Sequence, residues 1–153
     1  MFPRIKAIPL ICICNLFAFG QSKQETIDFI ISEFKSIENN AYVFKDVTFS
    51  QGGAIFTFRR YRPGKPDKAV VIDLKDVDIY RVAIHHANEA DFYNLDVRSR
   101  GRDGNFMANG LKYNGTWTLL GRIDSERKAR ALEKAFLRLT ELTTGRKDLF
   151  PVP

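Results

Sequence analysis

An α+β domain built on an antiparallel sheet is the fold class this sequence predicts. Three observations predict it. Apolar residues recur at helical spacing near both ends of the chain, they alternate with a period of two in between, and the connections are too short to hold a crossover helix. The expected architecture is a meander of about six to seven strands, flat or bent into a barrel, with an amphipathic helix before it and another after it.

The first twenty residues are set apart from this domain. Arg4 and Lys6 precede an apolar run, Ala7 to Phe19, broken only by Asn15. Ala18-Phe19-Gly20 places small residues three and one before a cut after Gly20, leaving Gln21 as the new N-terminus. Charge, short apolar run and small-residue exit are the pattern of a cleavable export signal. The run has 13 residues, where a membrane span needs about 20. Cys12 and Cys14 lie inside it, each preceded by Ile rather than the small residue that lipid attachment favours.

Cleavage would change the composition of what remains. Both cysteines leave, so 133 residues must hold together by their core, with no disulfide and no thiolate metal site. Two cations leave with no acid, so the formal charge falls from +6 to +4, too mild for a nucleic-acid signature. Residues 21–147 then form one domain, and 148–153 a short tail.

In the opening helix Ile27, Ile30, Ile31, Phe34 and Ile37 make one apolar stripe, and Ser22 with Glu25 forms a capping box. Asn39-Asn40 end it. Strands are expected over 42–50, 53–61, 68–75, 78–86, 91–98, 105–108 and 116–122. Ala54, Phe56 and Phe58 oppose Ile55, Thr57 and Arg59; Val70, Ile72 and Leu74 oppose Val71, Asp73 and Lys75; Tyr80, Val82 and Ile84 oppose Arg81, Ala83 and His85. Turns fall at Gln51-Gly52-Gly53, Pro63-Gly64-Lys65-Pro66, Asp103-Gly104 and Asn114-Gly115, the last read as a tight hairpin rather than a glycosylation site. In the closing helix, capped by Asp124 or Ser125, the inward face is Ala129, Leu132, Ala135, Phe136, Leu139 and Leu142. Gly145 and Pro151 end it.

Motifs that would carry chemistry dissolve on inspection. Asp67, Asp73 and Lys75 imitate a nuclease metal site, but a turn and one wet strand face account for them. His85 and His86 are adjacent on a strand and point to opposite faces, one to solvent and one to the core edge, so they do not ligate one metal. None of the serines of the domain lies in Gly-x-Ser-x-Gly, and Arg100-Gly101-Arg102-Asp103-Gly104 lacks phosphate-loop spacing. Most aromatics, among them Tyr42, Phe44, Phe49, Phe56, Phe58, Phe92, Phe106, Trp117 and Phe136, have core spacing. No cofactor is expected.

Two arginine clusters are left as a candidate patch for an anionic partner: Arg59, Arg60 and Arg62, with Lys65 beside them, and Arg98, Arg100 and Arg102. In a flat meander their turns fall at opposite ends of the sheet, and only strong bending would unite them.

The closing segment, from Ala129 and Leu132 through Ala135-Phe136, Leu139, Leu142 and Gly145 to Asp148-Leu149-Phe150-Pro151, resembles the C-terminal helix of small secreted bacterial proteins of unknown function. The whole chain after Gly20, with Val70 to Asp78 as its most typical strand segment, resembles their layout. Strands closed by a helix also resemble pleckstrin-homology-like domains, which implies a bent sheet plugged at one end. Neither resemblance implies functional residues. The expected function is a non-enzymatic binding or interaction module of a bacterial envelope, periplasmic or else released outside the cell, whose partner is an envelope protein or an anionic envelope component. The alternative is a small hydrolase or metal-dependent enzyme.

Overall fold

A computed structural model describes residues 22–37, 43–65, 68–86, 91–100, 106–113 and 115–147. The fold is α+β, with antiparallel sheets and two helices. Helix α1 spans Lys23–Ser36 and opens on the capping box, in which the Ser22 hydroxyl accepts from the Glu25 N–H and the Glu25 carboxylate accepts from the Ser22 N–H. The strands are β1 (Val43–Ser50), β2 (Ile55–Tyr61), β3 (Lys68–Asp73), β4 (Val77–His86), β5 (Asp91–Ser99), β6 (Phe106–Ala108), β7 (Leu111–Tyr113) and β8 (Thr116–Ile123). Helix α2, Glu126–Thr144, starts at an Ser125 cap and stops at Gly145, whose φ of 72° is the left-handed turn that glycine supplies at least cost.

The strands do not form one meander. They divide into a five-stranded sheet, ordered β1-β2-β3-β6-β7, and a three-stranded sheet, ordered β4-β5-β8. The cause lies at Leu74. A tight hairpin between β3 and β4 would need residues with positive φ, and Leu74-Lys75-Asp76 instead form a 3-10 turn. The Asp73 carboxylate accepts from the Lys75 N–H, and the Leu74 N–H donates to the Ala54 carbonyl at 2.9 Å. The chain is thereby carried out of the first sheet, and β3 takes β6 as its second neighbour.

The Asn-Gly hairpin also falls elsewhere than expected. Asn109 and Gly110, with φ of 51° and 77°, join β6 to β7 as a two-residue turn needs, and Ala108 faces Leu111 across it. Gly115 instead lies where the chain passes from the first sheet to the second: its N–H donates to the Ser99 hydroxyl and its carbonyl accepts from the Ser99 N–H. The Asp103-Gly104 turn and Tyr42 lie outside the described residues.

One core serves both sheets and both helices. Phe34 of α1 has ring centroids 5.1–6.0 Å from Phe44, Phe56, Phe58 and Phe136. Phe136 of α2 meets Phe56 of the first sheet at 5.3 Å and Tyr80 of the second at 5.4 Å. The buried face of α2 is therefore wider than expected and includes Leu137 and Thr140, while Leu142 is half-buried. Thr140 hydrogen-bonds the Tyr80 hydroxyl at 3.0 Å, and burial pushes the Tyr80 phenol well above its ordinary value. Helix α2 also guards the free edge of β4. The Glu133 carboxylate accepts from the Val82 N–H at 3.1 Å, and the Arg146 guanidinium donates to the carbonyls of Val77 and Lys75. Ile84, expected inside, is 47% exposed because β4 outruns the core at that end.

Candidate functional site

The structure distributes the expected arginine clusters over separate surfaces. Arg59 stands on the outer face of β2 with its guanidinium 3.8 Å from the Asp46 carboxylate. Arg60 turns inward and lies 5.0 Å over the Trp117 ring, which Phe58 stacks against at 6.4 Å. The Arg62 carbonyl accepts from the Lys65 N–H in the β2–β3 turn, where Gly64 has φ of 73°. Arg98 is held on the outer face of β5 by Asp78, with Nε donating at 2.8 Å. Trp117 pairs with buried Val97 and Arg98 with exposed Thr116, so Arg60 and Arg98 stand on opposite faces of the second sheet. The Arg100 N–H donates to the Asp76 carbonyl at 2.7 Å. Arg102, and the Gly20–Gln21 bond, lie outside the described residues.

The most organised exposed surface is one the sequence did not single out: the outer face of β4-β5-β8. His85, Phe92 and Arg122 form a row across the three strands. The His85 ring lies parallel to Phe92, 7° apart in plane with centroids 5.2 Å apart, and the Arg122 guanidinium sits 5.8 Å from the same ring. Asn94 occupies the next position along β5. Its carbonyl oxygen accepts from the Arg122 N–H at 3.1 Å, which turns its amino group toward His85 Nε2 at 2.9 Å. That nitrogen therefore acts as an acceptor. Ala83 and Gly121 flank Asn94, and a Cβ on Gly121 would come 3.3 Å from the Asn94 oxygen. Beyond them the Thr118 hydroxyl donates to Asp96 at 2.8 Å. Register shifts at Tyr93/Leu95 and Leu95/Asp96 re-aim these side chains, and Arg122 holds φ of 58°, a left-handed conformation that costs an arginine free energy.

A cleft of about 490 Å³ runs between the first turns of α1 and the β1–β2 corner. Ile27, Ile31 and Phe49 give it apolar walls, Gln24 and Thr48 neutral polar ones, and among the described residues Lys23 is the one charged side chain lining it. Its end is shaped by Gln51, Gly52 and Gly53, three successive residues with φ of 50°, 66° and 93°. A Cβ on Gly53 would come 3.1 Å from Ile27, whereas one on Gly52 would meet nothing.

The remaining motifs find local partners. His86 pairs with Asp91 at 2.8 Å, and both histidines are exposed, so neither lies at the core edge as expected. Lys75 bonds Asp73 at 2.8 Å, and that bond, with the attraction of Asp73 and Asp76, raises the lysine above its ordinary value. Asp67 lies outside the described residues. Phe92, expected inside, is half-buried on the outer face. Among the described residues no three His, Cys, Asp or Glu side chains gather as a metal site, and no helix is long and apolar enough to cross a membrane. Comparison of the chain with protein-family models, curated proteins and solved structures finds no match.

Proposed function

We propose that the protein is exported and works as a non-enzymatic interaction module of a bacterial envelope, engaging a protein partner through the outer face of β4, β5 and β8. The observation that carries this reading is the His85–Phe92–Arg122 row with Asn94 beneath it. These side chains, His85 and Arg122 exposed and Phe92 and Asn94 half-buried, already hold one another. Fixing a free side chain on association costs about 0.5–1.5 kcal/mol, and a surface ordered beforehand avoids much of that. Arg81, Arg98 and Arg122 share the face with Asp78 and Asp96, a near balance that suits a polar protein surface better than a polyanion. Export is supported by Arg4, Lys6, the apolar run to Phe19 and the small residues before Gln21.

A photo-crosslinking residue at Ala83 or Thr116, introduced in the producing cell, is expected to yield one discrete protein adduct. The same residue at Lys134, exposed on α2, is expected to yield none. Equal adducts from all three positions would overturn the reading. Intact mass of the recovered protein is expected to begin at Gln21, and retention of Phe2 to Gly20 would remove the export half.

A further inference from the structure

We propose that the cleft between α1 and the β1–β2 corner binds a carboxylate-headed acyl chain, with the tail on Ile27, Ile31 and Phe49 and the head at Lys23. This is a second site, independent of the outer sheet face.

The cleft volume of about 490 Å³ lies in the range of small-molecule sites, and its walls divide by chemistry. The inner part is aliphatic and aromatic. Phe49 is fixed there by stacking on Phe56, with centroids 4.6 Å apart, so the apolar wall is rigid. Gly53 lets the corner pack directly on Ile27, closing the inner end, while the open space over Gly52 leaves the other side accessible. The neutral polar groups at the rim are engaged already: the Gln24 amide donates to Asp28 at 2.8 Å, and the Thr48 hydroxyl is bonded to Thr57 at 2.7 Å. Among the described residues Lys23 makes no ion pair and is the one formal charge on the walls. An apolar trough with one cation at its mouth complements an apolar chain with one anion at its end. A neutral glycoside would leave the cation without a counter-charge, and a cationic amphiphile would be repelled by it.

The test uses the protein as the cell processes it, titrated with decanoate, decyltrimethylammonium and decyl maltoside, each below its micelle concentration. Decanoate is expected to bind saturably and to shift the backbone amides of Gly52 and Gly53, with the other two binding more weakly. Lys23→Glu is expected to weaken decanoate by about fivefold, the weight of a partly exposed ion pair, without weakening decyl maltoside. An acid in the first turn of a helix favours the helix, so this variant keeps its fold. Ile31→Asn is expected to weaken all three. Non-saturable decanoate binding, equal binding of the cationic amphiphile, or decanoate affinity unchanged in Lys23→Glu would each overturn the proposal.

Discussion

The outer faces of the two sheets are built on different plans. Across the five-stranded sheet runs the row Thr48, Thr57, Val71, Met107 and Lys112, whose only side-chain bond among the described residues is the one between the two threonines. Across the three-stranded sheet nearly every position is engaged with a neighbour: His85 with Phe92 and Asn94, Arg122 with Phe92, Thr118 with Asp96 and Arg98 with Asp78. The larger sheet is held from inside, by β-ladders and a cluster of phenylalanines. The smaller sheet has only three strands to share its ladders and adds a network of side chains on the side away from the core. The outer face of the first sheet carries contacts at one end, Arg59 with Asp46 and Lys45 over Tyr61, whereas those of the second form a row across all three of its strands.

Breaking the shared interior tests this contrast most severely. Phe136→Ala removes the ring that touches both sheets and is expected to cost about 3–5 kcal/mol, read as a large fall in urea midpoint. A midpoint near that of the parent would mean that α2 does not join the sheets. Alkali probes the same place. The Tyr80 phenol is raised in the folded chain, so the stability it contributes is complete below the unfolded value of about 10 and is lost as the pH rises through the folded one. Its loss is expected to reach about 1.4 kcal/mol per pH unit, and Tyr80→Phe is expected to flatten that part of the curve.

Glu133→Ala tests the edge of the second sheet. It leaves the Val82 N–H without its carboxylate and is expected to cost about 1.5–3 kcal/mol, with faster hydrogen exchange confined to β4. Asn94→Ala tests its outer face. A cost of about 1 kcal/mol is expected, together with faster exchange at the Arg122 amide. The smallest effect belongs to the first sheet: Thr57→Val should change stability by about 0.5 kcal/mol or less, because the exposed threonine pair is replaced by a β-branched side chain that suits a strand. A Thr57→Val cost equal to that of Asn94→Ala would erase the distinction between the two faces.

Periodicity made some of this legible in the sequence. The stripe of α2, apart from half-buried Leu142, and the inward Phe56, Phe58, Val70 and Ile72 are buried where periodicity placed them. Leu137 and Thr140 were not legible, because a helix enclosed by two sheets and another helix buries more than one stripe. The division into two sheets was hidden in Leu74-Lys75-Asp76, whose 3-10 turn depends on one aspartate accepting from a backbone N–H two residues on. The outer row was hidden for a different reason. His85 and Phe92 face each other across the β4–β5 pair, but Arg122 stands thirty residues beyond Phe92 and joins them only through a strand register that two irregularities displace. The cleft likewise joins a helix to a corner some twenty residues later, and only the glycines of Gln51-Gly52-Gly53 hinted at an unusual backbone there.

The place of Phe136 in the chain has a consequence for the order of events during synthesis. Helix α2 follows every described strand, so in the emerging polypeptide α1 can cover the first sheet through Phe34, while Phe136, which joins that sheet to the second, arrives after all of the described strands. Local hairpins such as β1–β2 and β4–β5 form early and reversibly, since an isolated two-stranded unit is marginal in water. The ring contacts that Phe136 makes to both sheets wait for α2. A polypeptide organised in this way cannot complete the core shared by its two sheets until Phe136 has been made.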